Sequence, residues 1–469
     1  MSHLPQNLGV IHFIGIGGIG MSGIAEILIQ SGYLVQGSDI NISDNTNRLK
    51  KIGVKIFIGQ KSSNINNAKI IVVSTAITNT NIELITAKKM FLPIVHRAEM
   101  LGELMRLKQS IAVGGTHGKT TTTSLISRII EQNGMDPTII NGGIISSLGS
   151  NAKLGGGEWM IVEADESDGS FAKLNPTVAV VTNIDLEHLD HHGNEKKLEH
   201  AFFNFVSSIP FYGFICLCID HPRVQKLISK LENKKIITFG LSANADIRAT
   251  NIIYKNNCMN FDLNISKRLN TNTQVYNIEF SMIGLHNIQN ALAAISIGLE
   301  LNIPIESIQN SLKTFSGVQR RFEKVGDYNG SLIIDDYGHH PVEISSALSA
   351  ARLIAPKNKI ISIFQPHRYS RLRDLFEDFC SCFNDSDQVL LLDVYPAGEK
   401  VIKKFESINL AEGLIKYGHK KVSYVKNSNK LANIIKDNLI PGDLVICLGA
   451  GTITKIANNL EYDLKNEYR

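Results

Sequence analysis

A glycine-rich stretch, Val113–Ser124, constrains the fold more than any other feature of the sequence. Its letters are VGGTHGKTTTTS, with Lys119 and Thr120 directly after the last of three glycines. Such glycines let backbone N–H groups converge on an anion at a helix N-terminus, the lysine adds a cation for the outer phosphates, and the threonine hydroxyl can bind Mg²⁺. Ser110–Val113 predicts a buried strand before the loop and Thr122–Gln132 a helix after it, so we predict a nucleoside triphosphate site.

The loop departs from the usual phosphate-loop pattern at one position. Val113 stands where that pattern has its first glycine, so the loop is a shortened variant. A glycine-rich turn with a solvated lysine is the alternative interpretation. On the phosphate-loop interpretation, the residues predicted to bind the nucleotide are Gly114, Gly115, Thr116, His117, Gly118, Lys119, Thr120 and Thr121.

Three segments alternate apolar strands with helical patterns, which predicts an α/β protein with parallel sheets. We predict a Rossmann-like domain at 1–107, a central domain with the sheet of the phosphate loop at 108–316, and a second Rossmann-like domain at 317–469. Ile236–Phe280 predicts antiparallel strands appended to the central sheet, and Lys313–Gln319 is the predicted linker. The main predicted strands are Val10–Ile14, Leu34–Gly37, Ile70–Val73, Ser110–Val113, Trp159–Val162, Val178–Val181, Leu332–Ile334, Ile360–Phe364, Val389–Leu392 and Leu444–Leu448.

A second glycine motif, GIGGIG, follows the first predicted strand and opens a helix. Asp39 ends the next strand, where ribose hydroxyls are usually bound, so the motif predicts a nucleotide diphosphate site. The same pattern serves NAD, FAD or a nucleotide sugar, and it can also be a tight packing turn. The candidate residues are Gly15, Gly17, Gly18, Gly20 and Asp39, together with Ser74 and Thr75 after a neighbouring strand.

Acidic residues from Glu163 to Asp168 follow another predicted strand. Like charges seldom gather without a cation, and Mg²⁺ prefers oxygen ligands, so Glu163 and Thr120 are predicted to bind it. A solvated acidic loop is the alternative. His188 follows the next strand and is predicted to serve the metal or the phosphates, whereas His191 and His192 are predicted to be exposed loop residues.

Further candidates lie in the last third of the chain. Asn287 and Asn290 can share a helix face and contact a purine edge, although N-capping is the competing role for Asn287. Arg321 is predicted to reach a phosphoryl group, and Arg368 with Arg371 to bind a carboxylate; surface salt bridges are the alternative. Asp336, Tyr337 and His339 follow a predicted strand in the same domain.

Composition excludes several classes of function. The formal net charge of +4, with no basic block, gives no reason to expect a nucleic-acid partner. The six cysteines form no Cys-x-x-Cys pair and are predicted to be reduced. Neither a signal peptide nor a membrane span is predicted, so we expect a cytoplasmic protein.

Taken together, these motifs resemble those of the Mur ligases, in order and over essentially the whole chain. The motifs that carry the resemblance are Gly15–Glu26, Gly115–Thr121, Glu163–Ser167, His286–Asn287 with Asn290, Arg320–Glu323, Asp336–Pro341 and Phe364–Tyr369. The resemblance implies a UDP-sugar domain, a central ATPase domain and a C-terminal domain for the amino acid. It also implies ATP-dependent joining of L-alanine to the carboxylate of UDP-N-acetylmuramate through an acyl phosphate, with Mg²⁺, as a step of peptidoglycan synthesis.

The resemblance also implies a role for each matching residue. It makes Lys119, Glu163, His188 and Arg321 catalytic, and it makes Thr120, Glu163 and His188 the residues of the metal site. Asn287, Asn290, Arg321 and Asp336 join the phosphate loop in binding ATP, and the first glycine motif binds UDP. The residues implied to hold the amino acid are Tyr337, His339, Arg368 and Arg371.

The sequence differs from some Mur ligases at one point, and three alternative functions remain open. Related ligases that add later residues use a carbamylated lysine, which has no clear counterpart in Glu199–Asn204; the alanine-adding members lack it too. The rivals are a ligase that attaches a whole tripeptide to the same UDP-sugar, a non-catalytic nucleotide-binding regulator, and a dehydrogenase, which would give the phosphate loop no task. We expect small-molecule substrates and a monomer or weak homodimer.

Overall fold

The computed structural model describes residues 5, 8–166, 169–186, 194–269, 275–436 and 438–466. These residues form three sheets whose strands alternate along the chain with helices, which confirms the predicted α/β fold class. They divide into two compact units. The first unit comprises residues up to Ile252, Asn260–Phe280 and Gln289–Ser316, and the second comprises Ile253–Met259, Ser281–Ile288 and residues from Gly317 onward.

The first sheet has five parallel strands in the order β3-β2-β1-β4-β5. Its strands are β1 (Val10–Ile14), β2 (Val35–Asp39), β3 (Lys55–Ile58), β4 (Ala68–Val73) and β5 (Ile94–His96). Its helices are α1 (Ile19–Gln30), α2 (Asp44–Lys51), α3 (Ile82–Lys89) and α4 (Arg97–Met105), with a 3₁₀ turn at Ser62–Ile65. Because β1, β2 and β4 are adjacent and parallel, the segments that follow them meet at one edge of the sheet.

The second sheet has ten strands in the order β15-β14-β13-β12-β11-β10-β6-β9-β7-β8. Its strands are β6 (Gln109–Gly114), β7 (Thr138–Ile145), β8 (Ser150–Lys153), β9 (Trp159–Glu163), β10 (Val178–Val181), β11 (Phe214–Cys218), β12 (Ile236–Gly240), β13 (Ile247–Lys255), β14 (Cys258–Ile265) and β15 (Tyr276–Phe280). Its helices are α5 (Lys119–Gln132), α6 (Glu195–Ser207), α7 (Pro222–Ile228), α8 (Leu285–Glu300) and α9 (Ile305–Lys313), with a 3₁₀ turn at Ser170–Lys173.

The prediction of antiparallel strands from Ile236 was wrong at its start. β12 pairs in parallel with β11, and β13 starts in parallel with β12, from the pair Phe239 and Ile247. β13 and β14 are neighbours joined by only Asn256 and Asn257, both at positive φ, which is the geometry of a tight antiparallel hairpin. The alternation of polar and apolar residues in these strands shows that one face of the sheet is exposed to solvent. Such exposure occurs near a sheet edge with parallel as well as antiparallel pairing, so the alternation does not distinguish the two.

The third sheet lies in the second unit, in the order β16-β17-β21-β18-β19-β20. Only the β16–β17 pair is antiparallel among the strand pairs of this sheet in the described residues. Its strands are β16 (Glu323–Tyr328), β17 (Ser331–Asp336), β18 (Ile360–Phe364), β19 (Gln388–Leu391), β20 (Val422–Tyr424) and β21 (Leu444–Leu448). Its helices are α10 (Pro341–Ile354), α11 (Tyr369–Asp374), α12 (Phe376–Ser381), α13 (Ser407–Lys416), α14 (Leu431–Lys436) and α15 (Ile453–Lys465), with a 3₁₀ turn at Ser428–Lys430.

One hydrophobic core joins the first two sheets. Ile24 and Leu28 of α1 belong to the same buried cluster as Ile140 of β7, Ala152 of β8 and Val162 of β9. The core therefore continues across residue 107, and the predicted domain bounds stay a prediction. In the described part of the chain, no helix combines the length and the apolar character that a membrane span requires.

Candidate nucleotide and amino-acid sites

The phosphate loop runs from the end of β6 to the first residue of α5. Gly115 and Gly118 have φ angles of 133° and 81°, which L side chains rarely adopt. A Cβ on Gly115 would lie 2.1 Å from the Thr182 hydroxyl, and one on Gly118 would lie 2.4 Å from the Asn290 amide oxygen. Both positions therefore require glycine, and the helix begins directly at Lys119, three residues before the predicted start.

The side chain of Lys119 is 13% exposed and is held by the loop itself. Its Nζ donates to the carbonyls of Gly115 (2.6 Å) and Thr116 (2.9 Å) and lies 2.8 Å from Glu166 Oε2. Burial would lower the pKa of Lys119, but Glu166 and Glu163 outweigh it and raise that pKa. The lysine is therefore a held cation at the N-terminus of α5, as an anion site requires. Sequence reasoning missed Glu166, although it lies in the predicted acidic cluster.

The segment after β10 supports the phosphate loop from its other side. Asn183 Oδ1 accepts from the His117 N–H (2.8 Å), and the Thr182 hydroxyl donates to the His117 carbonyl (2.6 Å). The Asp185 carboxylate lies between two imidazoles, with Nε2 of His221 at 3.1 Å and Nε2 of His117 at 3.4 Å. These contacts fix the loop where β6 and β10 are neighbours, and sequence reasoning missed this support.

Glu163, the last residue of β9, meets the phosphate loop. Its Oε2 accepts from the Thr120 hydroxyl and from the Gly142 N–H, both at 2.8 Å. Two oxygen donors thus lie together at the start of α5, and hard oxygen ligands of this kind suit Mg²⁺, which keeps several waters and phosphate oxygens as further ligands. His188, predicted to serve the same metal, lies outside the described residues, as do Ser167, Asp168, His191 and His192.

The described acids of this cluster do not form a solvated loop. Asp165 Oδ2 lies 3.0 Å from Arg97 Nη2, at the start of α4. Burial raises the pKa of Glu166 to about 7, against the opposing effect of the Lys119 ammonium. The cluster is therefore organised by specific cations, which argues against the alternative of an exposed acidic turn.

Asn287 and Asn290 lie near the start of α8 and are both buried. Asn290 Oδ1 accepts from the Thr122 hydroxyl (3.2 Å), beside Gly118 of the phosphate loop. Asn287 Nδ2 donates to the Ile283 carbonyl (2.8 Å). Because the helix begins at Leu285, two residues earlier, the competing N-cap role for Asn287 was wrong.

The first glycine motif forms the turn between β1 and α1. The Gly17 N–H donates to Asp39 Oδ2 (2.8 Å), so the predicted ribose ligand also holds this turn. Gly15 has a φ of 78° and Gly18 begins the helix as its cap, while Gly20 lies against the Arg97 guanidinium. Ser74 and Thr75 follow β4, at the same sheet edge, and Thr75 is exposed.

In the second unit, Arg321 and Tyr337 lie in one polar cluster. The guanidinium carbons of Arg320 and Arg321 lie 4.7 and 5.2 Å from the centre of the Tyr337 ring. Asp336 accepts from the N–H groups of Phe322 (2.8 Å) and Gly338 (2.7 Å). Burial raises the pKa of Asp336 to about 6, although Arg321 opposes the rise.

The predicted amino-acid residues lie along a row of rings. His339 makes edge contacts with Tyr337 and His367, and His367 stacks on Tyr395 at 5.3 Å. Arg371 Nη1 donates to the His367 carbonyl (3.2 Å).

Arg368 has a φ of 72° and caps α11 with its side chain exposed. Ser370, two residues later, binds Glu399 through its N–H (3.0 Å) and its hydroxyl (2.5 Å). The segment that carries Arg368 and Arg371 is thus held by His367, which lies in a motif of the family resemblance but was given no role, and by Tyr395 and Glu399, which sequence reasoning missed.

Three histidines of the second unit are neutral in the folded protein. Burial lowers the pKa of His339 to about 3, against Glu343, and that of His367 to about 4, together with Arg371. Burial and the charge of Arg321 lower the pKa of His286 to about 4. Neutral imidazoles can accept or donate one hydrogen bond without adding charge to the arginine-rich cluster.

We expect acid to destabilise the protein partly through His286. Its pKa is about 4 in the fold and about 6.5 in an unfolded chain. Unfolding therefore takes up a proton, and the stability present above pH 6.5 is lost as the pH falls toward 4. In urea unfolding between pH 7 and 5, His286→Gln should lower the slope of the unfolding free energy against pH by up to one proton. An unchanged slope, equal to that of the exposed-residue control His200→Gln, would contradict this.

Comparison with known proteins places these features in one family. Three family models match: "Mur ligase family, catalytic domain" over 10–109, "Mur ligase middle domain" over 113–298 and "Mur ligase, glutamate ligase domain" over 320–451. The chain is 52% identical to a UDP-N-acetylmuramate–L-alanine ligase of Rhodospirillum rubrum, over 99% of this chain and 97% of that protein. It is 52% identical to the ligase of that name from Parvibaculum lavamentivorans, over 99% and 94%.

A solved structure is also similar along its whole length. The UDP-N-acetylmuramate–alanine ligase of Thermotoga maritima superposes with a TM-score of 0.83 at 26% identity. The match covers 97% of this chain and 99% of that one. The similar sequences and the similar solved structure therefore point to the same family over nearly the whole chain.

Proposed function

The chain belongs to the Mur ligase family, and we propose that it joins L-alanine to UDP-N-acetylmuramate in a reaction that converts ATP to ADP and phosphate. The observation that carries the proposal is the 52% identity, over nearly the whole length of both proteins, to relatives that bear the name of this ligase. The product would be UDP-N-acetylmuramoyl-L-alanine, a precursor of peptidoglycan, and we expect its synthesis in the cytoplasm.

The chemistry requires activation of a carboxylate. In the proposed reaction a carboxylate oxygen of UDP-N-acetylmuramate attacks the γ-phosphorus of ATP, and ADP leaves. The amine of alanine then attacks the acyl carbon of the resulting acyl phosphate, phosphate leaves, and the nitrogen loses its extra protons to solvent. The first step concentrates negative charge on phosphoryl oxygens, which fixed cations and N–H groups stabilise.

In the first unit, the phosphate loop and Lys119 are the groups proposed to bind the phosphates. The Lys119 ammonium is already held by two loop carbonyls and Glu166, so little reorganisation is needed when phosphate oxygens arrive. Thr120 and Glu163 would hold Mg²⁺, because their oxygens meet at the start of α5. When bound, Mg²⁺ would neutralise charge on the β- and γ-phosphoryl oxygens. Asp39 and the first glycine turn are proposed to bind the UDP moiety.

In the second unit, the row of rings and arginines is proposed to bind alanine. Arg368 and Arg371 suit its carboxylate, and the neutral imidazoles of His339 and His367 border the same region without repelling an ammonium. Arg321 and Asp336 are proposed to contribute to ATP binding.

The variant Arg371→Met tests the proposed binding of the alanine carboxylate by Arg371. We expect it to raise KM for alanine more than KM for ATP.

The proposed function predicts phosphate release that depends on three substrates together. We expect the purified chain with Mg²⁺ to release phosphate from ATP only when both UDP-N-acetylmuramate and L-alanine are present. Single amino acids and the tripeptide of the recycling ligases are the comparison substrates, and mass spectrometry identifies the product. Release with the tripeptide but not with alanine would overturn the assignment, and oxidation of NADH would favour a dehydrogenase.

A further inference from the structure

A hairpin of the second sheet lies directly on the helix that follows the first glycine turn. Asn151 of β8 is fully buried, and its amide nitrogen donates to the carbonyls of Ile19 (2.8 Å) and Asn141 (3.3 Å). Its amide oxygen accepts from Arg48 Nη2 at 2.6 Å. One side chain thus joins α1, α2 and β7.

Neighbouring residues hold α1 against the hairpin in one position. A Cβ on Gly23 would lie 2.9 Å from Asn151 Nδ2, so the close approach of helix and hairpin requires glycine there. Glu26, one turn further along α1, lies 3.1 Å from Arg48 Nε and accepts from the Ser150 hydroxyl at 3.1 Å. The helix can neither rotate nor slide without breaking buried polar contacts, which is costly.

The same hairpin continues to the phosphate site. Asn141 Nδ2 donates to the Ser124 hydroxyl, and that hydroxyl donates to the Thr120 carbonyl, both at 2.8 Å. The next residue, Gly142, donates its N–H to Glu163. The Asn151 amide nitrogen is therefore bonded both to the first residue of α1, just after the glycine turn, and to the strand that contacts Ser124 and Glu163.

We propose that Asn151 is a positioning residue that fixes the first glycine turn relative to the start of α5 and Glu163. The inference rests on the proposed function, in which the turn holds the UDP-sugar and α5 holds the phosphates of ATP. Attack of a carboxylate on phosphorus needs the reacting atoms about 3–3.5 Å apart, and an error of about 1 Å can cost about a hundredfold in rate. Because Asn151 is fully buried, we expect it to contact neither substrate and to act on kcat through the relative placement of the two sites.

Two variants test this role. Asn151→Asp keeps the size of the side chain and the acceptor for Arg48 but loses both donors. Gly23→Ala keeps every polar group and forces the Asn151 amide to shift. We expect kcat to fall about tenfold to a hundredfold in Asn151→Asp and by a smaller factor in Gly23→Ala, while calorimetric affinities for UDP-N-acetylmuramate and for a non-hydrolysable ATP analogue stay within about twofold.

Matched controls separate positioning from general destabilisation. Gly102→Ala is also a glycine inside a helix, but its Cβ would meet no heavy atom closer than 3.9 Å. Asn264→Asp removes an amide that donates to the Thr250 hydroxyl at 2.8 Å, near the opposite edge of the same sheet. Both controls should keep the parent kcat.

A parent-like kcat in both test variants would overturn the role of Asn151 and leave the proposed function intact. The same conclusion would follow if kcat fell only in proportion to the folded fraction, measured by circular dichroism. No turnover by the parent enzyme would overturn both the inference and the proposed function.

Discussion

Replacement of Lys119 with methionine is expected to lower phosphate release by about a thousandfold or more. The ammonium is fixed by the carbonyls of Gly115 and Thr116 and by Glu166, so its charge stands at the start of α5 before any substrate binds. Methionine keeps the apolar stem but removes the charge that stabilises the phosphoryl oxygens. Steady-state phosphate release, with UDP-N-acetylmuramate and alanine saturating, measures the effect.

Two controls make this loss interpretable. Lys119→Met leaves the buried Glu166 without its cation, which destabilises the fold, whereas the double variant Lys119→Met with Glu166→Gln carries neither charge. Both should bind UDP-N-acetylmuramate with parent affinity, because the glycine turn after β1 does not include Lys119. Lys153→Met removes another lysine with two carboxylate partners, Glu131 and Asp136, and should retain activity. Loss of UDP-sugar binding together with turnover would mean that the two sites are not separate.

The secondary structure around the phosphate loop was predictable, because the local sequence pattern there favours the same elements that the folded protein contains. An apolar strand, three glycines and an apolar helix face specify a strand, a turn and a helix in that order, and the structure has β6, the loop and α5. The structure explains why Val113 stands where the usual phosphate-loop pattern has a glycine. Val113 is the fifth of the six residues of β6 and is fully buried, so it belongs to the strand and not to the loop. The loop proper therefore starts at Gly114, and its shortened form still reaches α5.

The partners of the site residues could not be predicted, because they come from distant parts of the chain. His221 reaches Asp185 from 36 positions away, and Tyr395 stacks on His367 from a loop after another strand. Neither residue lies in a motif with its partner. Glu166 lies in the predicted acidic cluster, but the cation predicted for that cluster was Mg²⁺, whereas the cation that contacts Glu166 in the structure is Lys119.

Buried polar groups elsewhere show the same limit. Glu83, near the start of α3, lies in no motif of the sequence, yet it is fully buried and accepts from Ser38 (2.5 Å), Asn64 (2.6 Å) and His12 (3.1 Å). Burial would raise the pKa of Glu83, but these hydrogen bonds outweigh it and lower that pKa. A pattern of apolar residues cannot reveal such a network, because its four members are polar and lie on four separate elements.

Replacement of Glu163 with glutamine is expected to lower kcat by about a hundredfold to a thousandfold and to raise the Mg²⁺ concentration needed for half-maximal activity. The glutamine amide oxygen can still accept from the Thr120 hydroxyl and the Gly142 N–H, which now meet Glu163 Oε2 at 2.8 Å. The local geometry is therefore preserved while the negative charge that attracts the cation is lost. A titration of phosphate release against Mg²⁺, at saturating ATP, measures both effects.

The nearby Asp165 supplies the matched control, because it lies two residues further along and pairs with Arg97. Asp165→Asn also removes a carboxylate charge that acts on Lys119, but it leaves the Glu163–Thr120 hydrogen bond in place, so its Mg²⁺ requirement should stay near that of the parent. Equal shifts in the two variants would show that only the summed negative charge of the cluster matters. An unchanged Mg²⁺ requirement in Glu163→Gln would exclude Glu163 as a metal ligand and leave it the role of holding Thr120 and the β7 strand in place.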